Sequence, residues 1–246
     1  MTELKRSNKH LFLSNAVILI PAFNEGEVIA EVIKDIRQHC DYPIIVIDDA
    51  STDDTVAKSQ NAGAAVIPLA IQLGAWGATQ TGMHYALRHD YEIAITMDAD
   101  GQHEAESLKN LMQPVIQGLA DVSIGACTRR GSLLRRVAWV MMKRASGLSL
   151  EDVTSGFRVY NYRAIVTLAS WRATLLDYQD IGVLLLLQSQ GLSIVDVNVA
   201  MQDRRNGHSK VFHSWLAIIY YMCQTLMLGL SKRKVAKRFR SIPTEN

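Results

Sequence analysis

Proline is scarce in this 246-residue chain, with 5 residues against 15 glycines, which excludes collagen-like, mucin-like and Pro/Gly-rich disordered classes. Cysteine is scarcer still. Cys40, Cys127 and Cys223 are odd in number, scattered, and free of any CxxC or His/Cys metal spacing. Neither a disulfide framework nor a zinc site is indicated, and the expected compartment is reducing. The first fifteen residues lack the apolar region of a signal peptide, having only Leu11-Phe12-Leu13 before Ser14, so the body of the protein is expected to stay in the cytoplasm. Internal repeats and low-complexity tracts are absent too. What is present is ordinary globular composition, 48% hydrophobic and 20% charged, at a length that suits one large α/β domain with a C-terminal appendage.

The net charge of +2 is small but unevenly placed. Residues 231–246 hold six basic side chains (Lys232, Arg233, Lys234, Lys237, Arg238, Arg240) against Glu245. Such a tail attracts anionic headgroups or nucleic acid; the alternative is a solvated chain end.

Ala16–Ile20, Ile44–Ile47, Ala65–Leu69 and Ile93–Met97 are short apolar runs rich in β-branched residues, as strands buried on both faces require. Between them Glu27–His39, Thr55–Asn61 and Gly77–His89 are long enough to cross over as helices, which predicts a parallel sheet covered by helices. Beyond residue 120 the spacing predicts strands over Val122–Gly125 and Ser193–Val199 and helices over Leu133–Ser146 and Ile181–Gln190. The Arg129–Arg136 stretch, with four arginines beside Gly131 and Ser132, is the expected mobile loop.

In such sheets ligands sit beyond the carboxyl ends of the strands. The first strand runs into Pro21-Ala-Phe-Asn-Glu25, the second into Asp48-Asp-Ala-Ser-Thr-Asp-Asp54, and the fourth into Asp98-Ala-Asp-Gly-Gln-His-Glu104. Asp98 and Asp100 share one face of an extended chain and can hold a hard divalent cation, with Gln102 as a third ligand; a plain Asp-rich turn is the alternative. Ser51, Thr52 or Asp53 can cap the next helix, which explains Asp53 and Asp54 but not a carboxylate pair at the strand end. Of that pair, Asp49 is the better placed to accept hydrogen bonds from a base or ribose. Leu73-Gly-Ala-Trp-Gly-Ala78 either brings backbone N–H groups to phosphate oxygens, with Gly74 central, or is a tight turn with Trp76 packed on it. Arg129, Arg158 at the end of Thr154-Ser-Gly-Phe-Arg158, and the Arg204–Lys210 group supply cations for phosphates.

Taken in order, V-I-L-I-P-A-F-N-E, V-I-D-D-A-S-T-D-D-T, M-D-A-D-G-Q-H, D-V-T-S-G-F-R and R-R-N-G-H-S-K resemble family 2 glycosyltransferases, in the branch of dolichyl-phosphate mannose synthase and related polyprenyl-phosphate glycosyltransferases. The resemblance spans roughly residues 16 to 211. It implies a GT-A fold (Rossmann-like, α/β, a mostly parallel sheet flanked by helices), a nucleotide-sugar donor carrying UDP or GDP, a Mg2+ or Mn2+ cofactor, and inversion at the anomeric carbon. Matched position by position, it implies nucleotide binding by Pro21, Ala22, Phe23, Glu25, Asp49, Gly74 and Asp98, and metal binding by Asp98, Asp100 and Gln102. It further implies catalytic roles for Asp100, Asp180, Arg129 and Arg158, and acceptor-phosphate contacts for Arg158, Arg204 and Lys210. Asp180 stands roughly where relatives with hydroxyl acceptors keep a base; a lipid phosphate is already anionic and leaves Asp180 to orient the acceptor, or merely to cap the next helix. Gln72, where relatives usually have Asn, and Trp76 between the loop glycines depart from the pattern, so nucleotide and sugar preference do not carry over.

Phe212–Leu230 is 19 residues without Lys, Arg, Asp or Glu, and the basic tail follows. As a helix it would be about 28 Å long, marginal for a membrane span. Its polar residues gather on one side and its large apolar ones on the other, so an amphipathic helix on the cytoplasmic leaflet is expected; a span, or packing on the domain or a partner protein, are the alternatives. The chain then divides into an N-terminal extension (1–15), a GT-A domain (16–211) and an interfacial helix with basic tail (212–246). The expected reaction moves a sugar to a polyprenyl phosphate or other lipid-linked acceptor at the membrane surface, for cell envelope polysaccharide or glycolipid synthesis. A hydroxyl acceptor on a saccharide or protein, a sugar-nucleotide pyrophosphorylase, and a non-catalytic nucleotide-binding membrane subunit are the competing readings. Homo-oligomers or a membrane partner protein are open. Nucleic acid is not an expected partner, because the basic residues lack an aromatic stacking platform.

Overall fold

The computed structural model describes residues 15–101, 105–126, 155–174, 176 and 181–200. The chain divides into two compact units, one of Met1–Thr128 with Glu151–Arg205 and one of Arg129–Leu150 with Asn206–Asn246; all described residues belong to the first. Its strands are β1 (Ala16–Ala22), β2 (Ile44–Asp48), β3 (Ala65–Pro68), β4 (Ile93–Thr96), β5 (Val122–Ala126), β6 (Arg158–Asn161) and β7 (Ile194–Asn198). The helices are α1 (Ile29–His39), α2 (Thr55–Asn61), α3 (Gly74–Arg88), α4 (Leu108–Ile116), α5 (Tyr162–Leu168), α6 (Trp171–Thr174) and α7 (Ile181–Ser189), with a 3-10 turn at Ala105–Ser107.

The strands form one seven-stranded sheet in the order β3-β2-β1-β4-β6-β5-β7. β1 runs parallel to β2 and β4, β2 to β3, and β5 to β7; β6 is antiparallel to both its neighbours. This is the mostly parallel α/β sheet expected. On one face Ile18, Ile20, Ile44, Val46, Ile93 and Ile95 pack against Ile29, Val32, Ile33 and Ile36 of α1 and Leu108, Leu111 and Met112 of α4. The alternate side chains Leu19 and Ile47 meet α3 on the other face, where a methyl group at Gly82 would come within 3.1 Å of both, so the missing side chain lets this helix lie close to the sheet. Burial on both faces explains why these strands read as continuous apolar runs. Edge strand β3 is partly exposed and ends at Pro68, where no ladder donor is needed.

Two differences from the expectation have physical causes. β6 is not among the strands the spacing predicts, because its sequence, Arg-Val-Tyr-Asn, begins with an arginine at a fully buried position. α4 contains Pro114, which lacks an N–H and weakens the helical pattern, although its apolar face is well buried. The predicted helix over 133–146, the loop over 129–136 and the 212–230 segment lie outside the described residues. Among those described, no helix is long and apolar enough to cross a membrane.

Candidate active site

β1 has its sequence successor β2 on one side and β4 on the other, so the carboxyl ends of β1 and β4 flank the crevice where connections diverge. The loops after β1 and β2 are fastened together there. The Asn24 N–H donates to Ser51 Oγ, the Glu25 N–H to Thr55 Oγ1 and the Gly26 N–H to Asp53 Oδ2, each at 2.9 Å. In return Asn24 Oδ1 accepts from the Thr52 N–H at 2.8 Å. Asn24 and Ala50 adopt left-handed backbone (φ 52° and 61°), a cost these cross-loop bonds offset. A side chain at Gly26 would collide with the Asp53 and Asp54 carboxylates. Burial pushes the Asp53 carboxyl up, but hydrogen bonds from the Thr55 hydroxyl and the Gly26 and Thr55 N–H groups outweigh it and hold the group below its ordinary range. Asp53 therefore shapes the loop after β1 as well as the turn into α2.

The two carboxylates at the end of β2 have different surroundings. Asp49 accepts from the Leu73 N–H through Oδ1 at 2.6 Å and from the Gly74 N–H through Oδ2 at 2.9 Å, which fixes the start of α3. That helix begins at Gly74, three residues before the predicted Gly77. The Gly74 amide expected at a phosphate is thus engaged by Asp49. Asp48 is also buried; its Oδ2 accepts from the Ser51 N–H at 3.3 Å, while Oδ1 has no hydrogen-bond partner among the described residues. The sequence favours Asp49 for a ligand, but the alternation along β2 puts Asp48 on the face of Ile44 and Val46, away from α3.

Asp98 and Asp100 follow β4, and both are partly exposed. The Gly156 backbone lies against the Asp98 carboxylate so closely that any side chain there would collide with Oδ1. Gly156 is itself held by the Thr96 hydroxyl, which donates to its carbonyl at 2.7 Å. Arg158 pairs in register with Thr96, is 0% exposed, and donates from Nε to the Ser155 carbonyl at 2.7 Å. The side chain expected as a cation for phosphates is thus fully buried beside the end of β4. Pro21, Phe23 and Glu25 are partly exposed and Ala22 is buried, all at the β1 end of the crevice. Arg129, Asp180, Arg204, Lys210 and Gln102 lie outside the described residues, and among those described no group of three His, Cys, Asp or Glu could enclose a metal ion.

Trp76 is buried on α3, and its Nε1 donates to the Ala173 carbonyl at 2.8 Å. Gln80, one turn on, donates from Nε2 to the carbonyls of Leu168 and Ser170 at 3.1 and 3.2 Å. The first turns of α3 are thereby stitched to α5 and α6.

A family model described as glycosyl transferase family 2 matches residues 17–167. The polyprenol monophosphomannose synthase of Mycolicibacterium smegmatis is 28% identical over 214 residues, 79% of this chain and 80% of that protein. The undecaprenyl-phosphate mannosyltransferase of Micrococcus luteus is 26% identical over 78% of this chain and 86% of its own. In fold the chain is similar to glucosyl-3-phosphoglycerate synthase from Mycobacterium tuberculosis, crystallised with Mn2+, uridine diphosphate and glucosyl-3-phosphoglycerate: the TM-score is 0.66 at 20% identity, over 89% of this chain and 80% of that one.

Proposed function

Because the chain belongs to glycosyl transferase family 2, we propose that it moves a sugar from a UDP- or GDP-sugar to a polyprenyl phosphate at the cytoplasmic face of a membrane, with inversion at the anomeric carbon. The chain is a glycosyltransferase related to the polyprenyl-phosphate sugar transferases, and their names motivate the lipid-phosphate acceptor. The observation that carries the reading is the Asp98/Asp100 pair at the end of β4, beside the end of β1 and backed by Gly156.

Two partly exposed carboxylates at a strand end are hard oxygen donors that suit Mg2+ or Mn2+, with Gln102 as a third ligand. Such a cation, when bound, supplies positive charge to a leaving diphosphate. Pro21, Ala22, Phe23 and Glu25 line the nucleotide side, and Asp49 supports it by holding Leu73 and Gly74. The Asp48 oxygen left unbonded among the described residues is the candidate acceptor for a base or ribose donor. Arg158 lends positive potential from its buried position beside the end of β4, while Arg129, Arg204 and Lys210 neutralise donor and acceptor phosphates. An acceptor phosphate oxygen attacks the anomeric carbon as the bond to the nucleoside diphosphate breaks. The attacking group is already an anion, so no proton has to be removed, and Asp180 orients it.

The test incubates the protein and its Asp100→Ala variant with labelled UDP- and GDP-sugars, Mn2+ and polyprenyl phosphate. Sugar-phospholipid should form with the wild type and fall by orders of magnitude in the variant. Equal turnover by the variant removes the metal-site role. Transfer to hydroxyl acceptors alone, with a strict need for Asp180, overturns the lipid-phosphate reading.

A further inference from the structure

The same edge carries side chains that none of these roles uses. Ile71 and Leu73, in the loop after β3, and Trp171, which opens α6, are 67%, 49% and 72% exposed. The two segments are neighbours, because Trp76 in the first turn of α3 bonds the Ala173 carbonyl of α6. β3 runs parallel to β2, and β2 and β4 run parallel to β1, so the loop after β3 emerges at the edge where Asp48 and Asp98 stand.

Charge is distributed unusually around these residues. From Ser59 to Met83 the chain has no Asp, Glu, Lys, Arg or His, and between Arg163 and Asp177 its one charge is Arg172. The Arg172 guanidinium lies over the Trp171 ring, 5.8 Å from its centroid. Trp171 is the most exposed large apolar side chain described, yet it stands beside the edge where the nucleotide would sit.

We propose that Ile71, Leu73, Trp171 and Arg172 form a membrane-contact rim that seats the catalytic edge on a bilayer containing anionic lipids. The inference rests on the lipid-phosphate reading, since an acceptor anchored in a bilayer has to be met at its surface. A hydrocarbon chain is bound by enclosing it, whereas these side chains protrude, as suits insertion among headgroups and upper acyl chains. Tryptophan and arginine each combine an apolar body with a polar end and settle at the membrane interface. The positive charge of Arg172, with no acidic side chain on either segment, complements anionic headgroups.

The experiment measures sedimentation of the full chain with vesicles of mixed phosphatidylcholine and phosphatidylglycerol, for the wild type and for Ile71→Ser/Trp171→Ser. The double variant should bind about tenfold more weakly or worse at unchanged Tm, since the replaced side chains are exposed in the free protein. Arg172→Ala should reduce the dependence on phosphatidylglycerol, and a blue shift of emission on adding vesicles should be smaller in Trp171→Phe. Equal binding of wild type and double variant, or no binding by either, overturns the proposal. It is also overturned if the double variant loses as much transfer to a short, water-soluble prenyl phosphate as to a long acceptor in vesicles, because the rim would then serve the acceptor chain. Sedimentation needs neither donor nor acceptor, so a failed rim is distinguished from a failed transferase reading, in which vesicle-bound protein transfers no sugar.

Discussion

Gly156 lies so close to Asp98 that the carboxylate occupies the space a side chain at 156 would need. The contact joins the approach to β6 to the acidic end of β4, and it makes a glycine a support of the proposed metal site. Gly156→Ala must displace Asp98, its own backbone, or both. The backbone is also tied to the Thr96 hydroxyl, so the change should cost about 1–3 kcal/mol of stability. Transfer should fall by more than the lost stability explains. Thermal unfolding, together with turnover measured well below the Tm over a range of Mn2+ concentrations, separates the two effects. Native metal dependence in Gly156→Ala would show that Asp98 does not need this support.

Asp48 and Asp49 should respond differently to the same substitution. Asp49→Ala leaves the Leu73 and Gly74 N–H groups without their carboxylate, and charge-assisted bonds of this kind contribute about 1.5–3 kcal/mol each when broken. Its main effect should be a lower Tm, visible without ligand. Asp48→Asn keeps the shape and one acceptor oxygen, so stability should change little while affinity for the nucleoside diphosphate falls about tenfold or more. Calorimetric titration with UDP and GDP checks this, and unchanged affinity would remove Asp48 from the nucleotide site.

Much of the fold is legible because burial on both faces forces β1, β2, β4 and β5 into continuous apolar runs, and the turns after β1, β2 and β4 carry the polar residues. β6 and α4 escape this reasoning because Arg158 and Pro114 break the local patterns while tertiary packing sustains the elements. The site is legible as a set of segments and less so as roles. Of two adjacent aspartates the sequence favours Asp49 for a ligand, yet strand alternation sends Asp49 to the start of α3 and Asp48 to the opposite face. Neither the engagement of Gly74 by Asp49 nor the contact of Gly156 with Asp98 has a local signal, since each partner lies in a distant segment.

Acid stability should depend on Asp121. Burial pushes its carboxyl up, but bonds from the Ser193 N–H, the Asn161 amide and the Ser193 hydroxyl, with the Arg163 charge, outweigh burial and hold it below its ordinary range. These bonds tie the start of β5 to the end of β6 and the residue before β7. A carboxyl whose folded pKa is depressed contributes its full stability above the unfolded value, about 3.9 for Asp, and loses it as pH falls from there through the folded value. Asp121→Asn should therefore lower the Tm at neutral pH and flatten its fall in the acid range. Parallel curves for wild type and variant below pH 4 would exclude this contribution.

Trp76 tests whether the departure from the family pattern at this loop is structural. Its indole fills a buried position and donates at 2.8 Å to the Ala173 carbonyl, which also accepts from the Leu176 N–H at 3.1 Å. Trp76→Phe keeps most of the apolar volume and removes the donor while the carbonyl keeps the Leu176 N–H, so the variant should lose about 0.5–1.5 kcal/mol. Trp76→Gly adds a cavity and lost burial, about 3–5 kcal/mol for an aromatic truncated to alanine, and a further helix penalty of about 1 kcal/mol for glycine. Denaturant unfolding of both variants gives the comparison. If the two lose equal stability, the hydrogen bond rather than packing carries the effect; if Trp76→Phe is neutral, the link from α3 to α6 rests on packing and on the two bonds from Gln80.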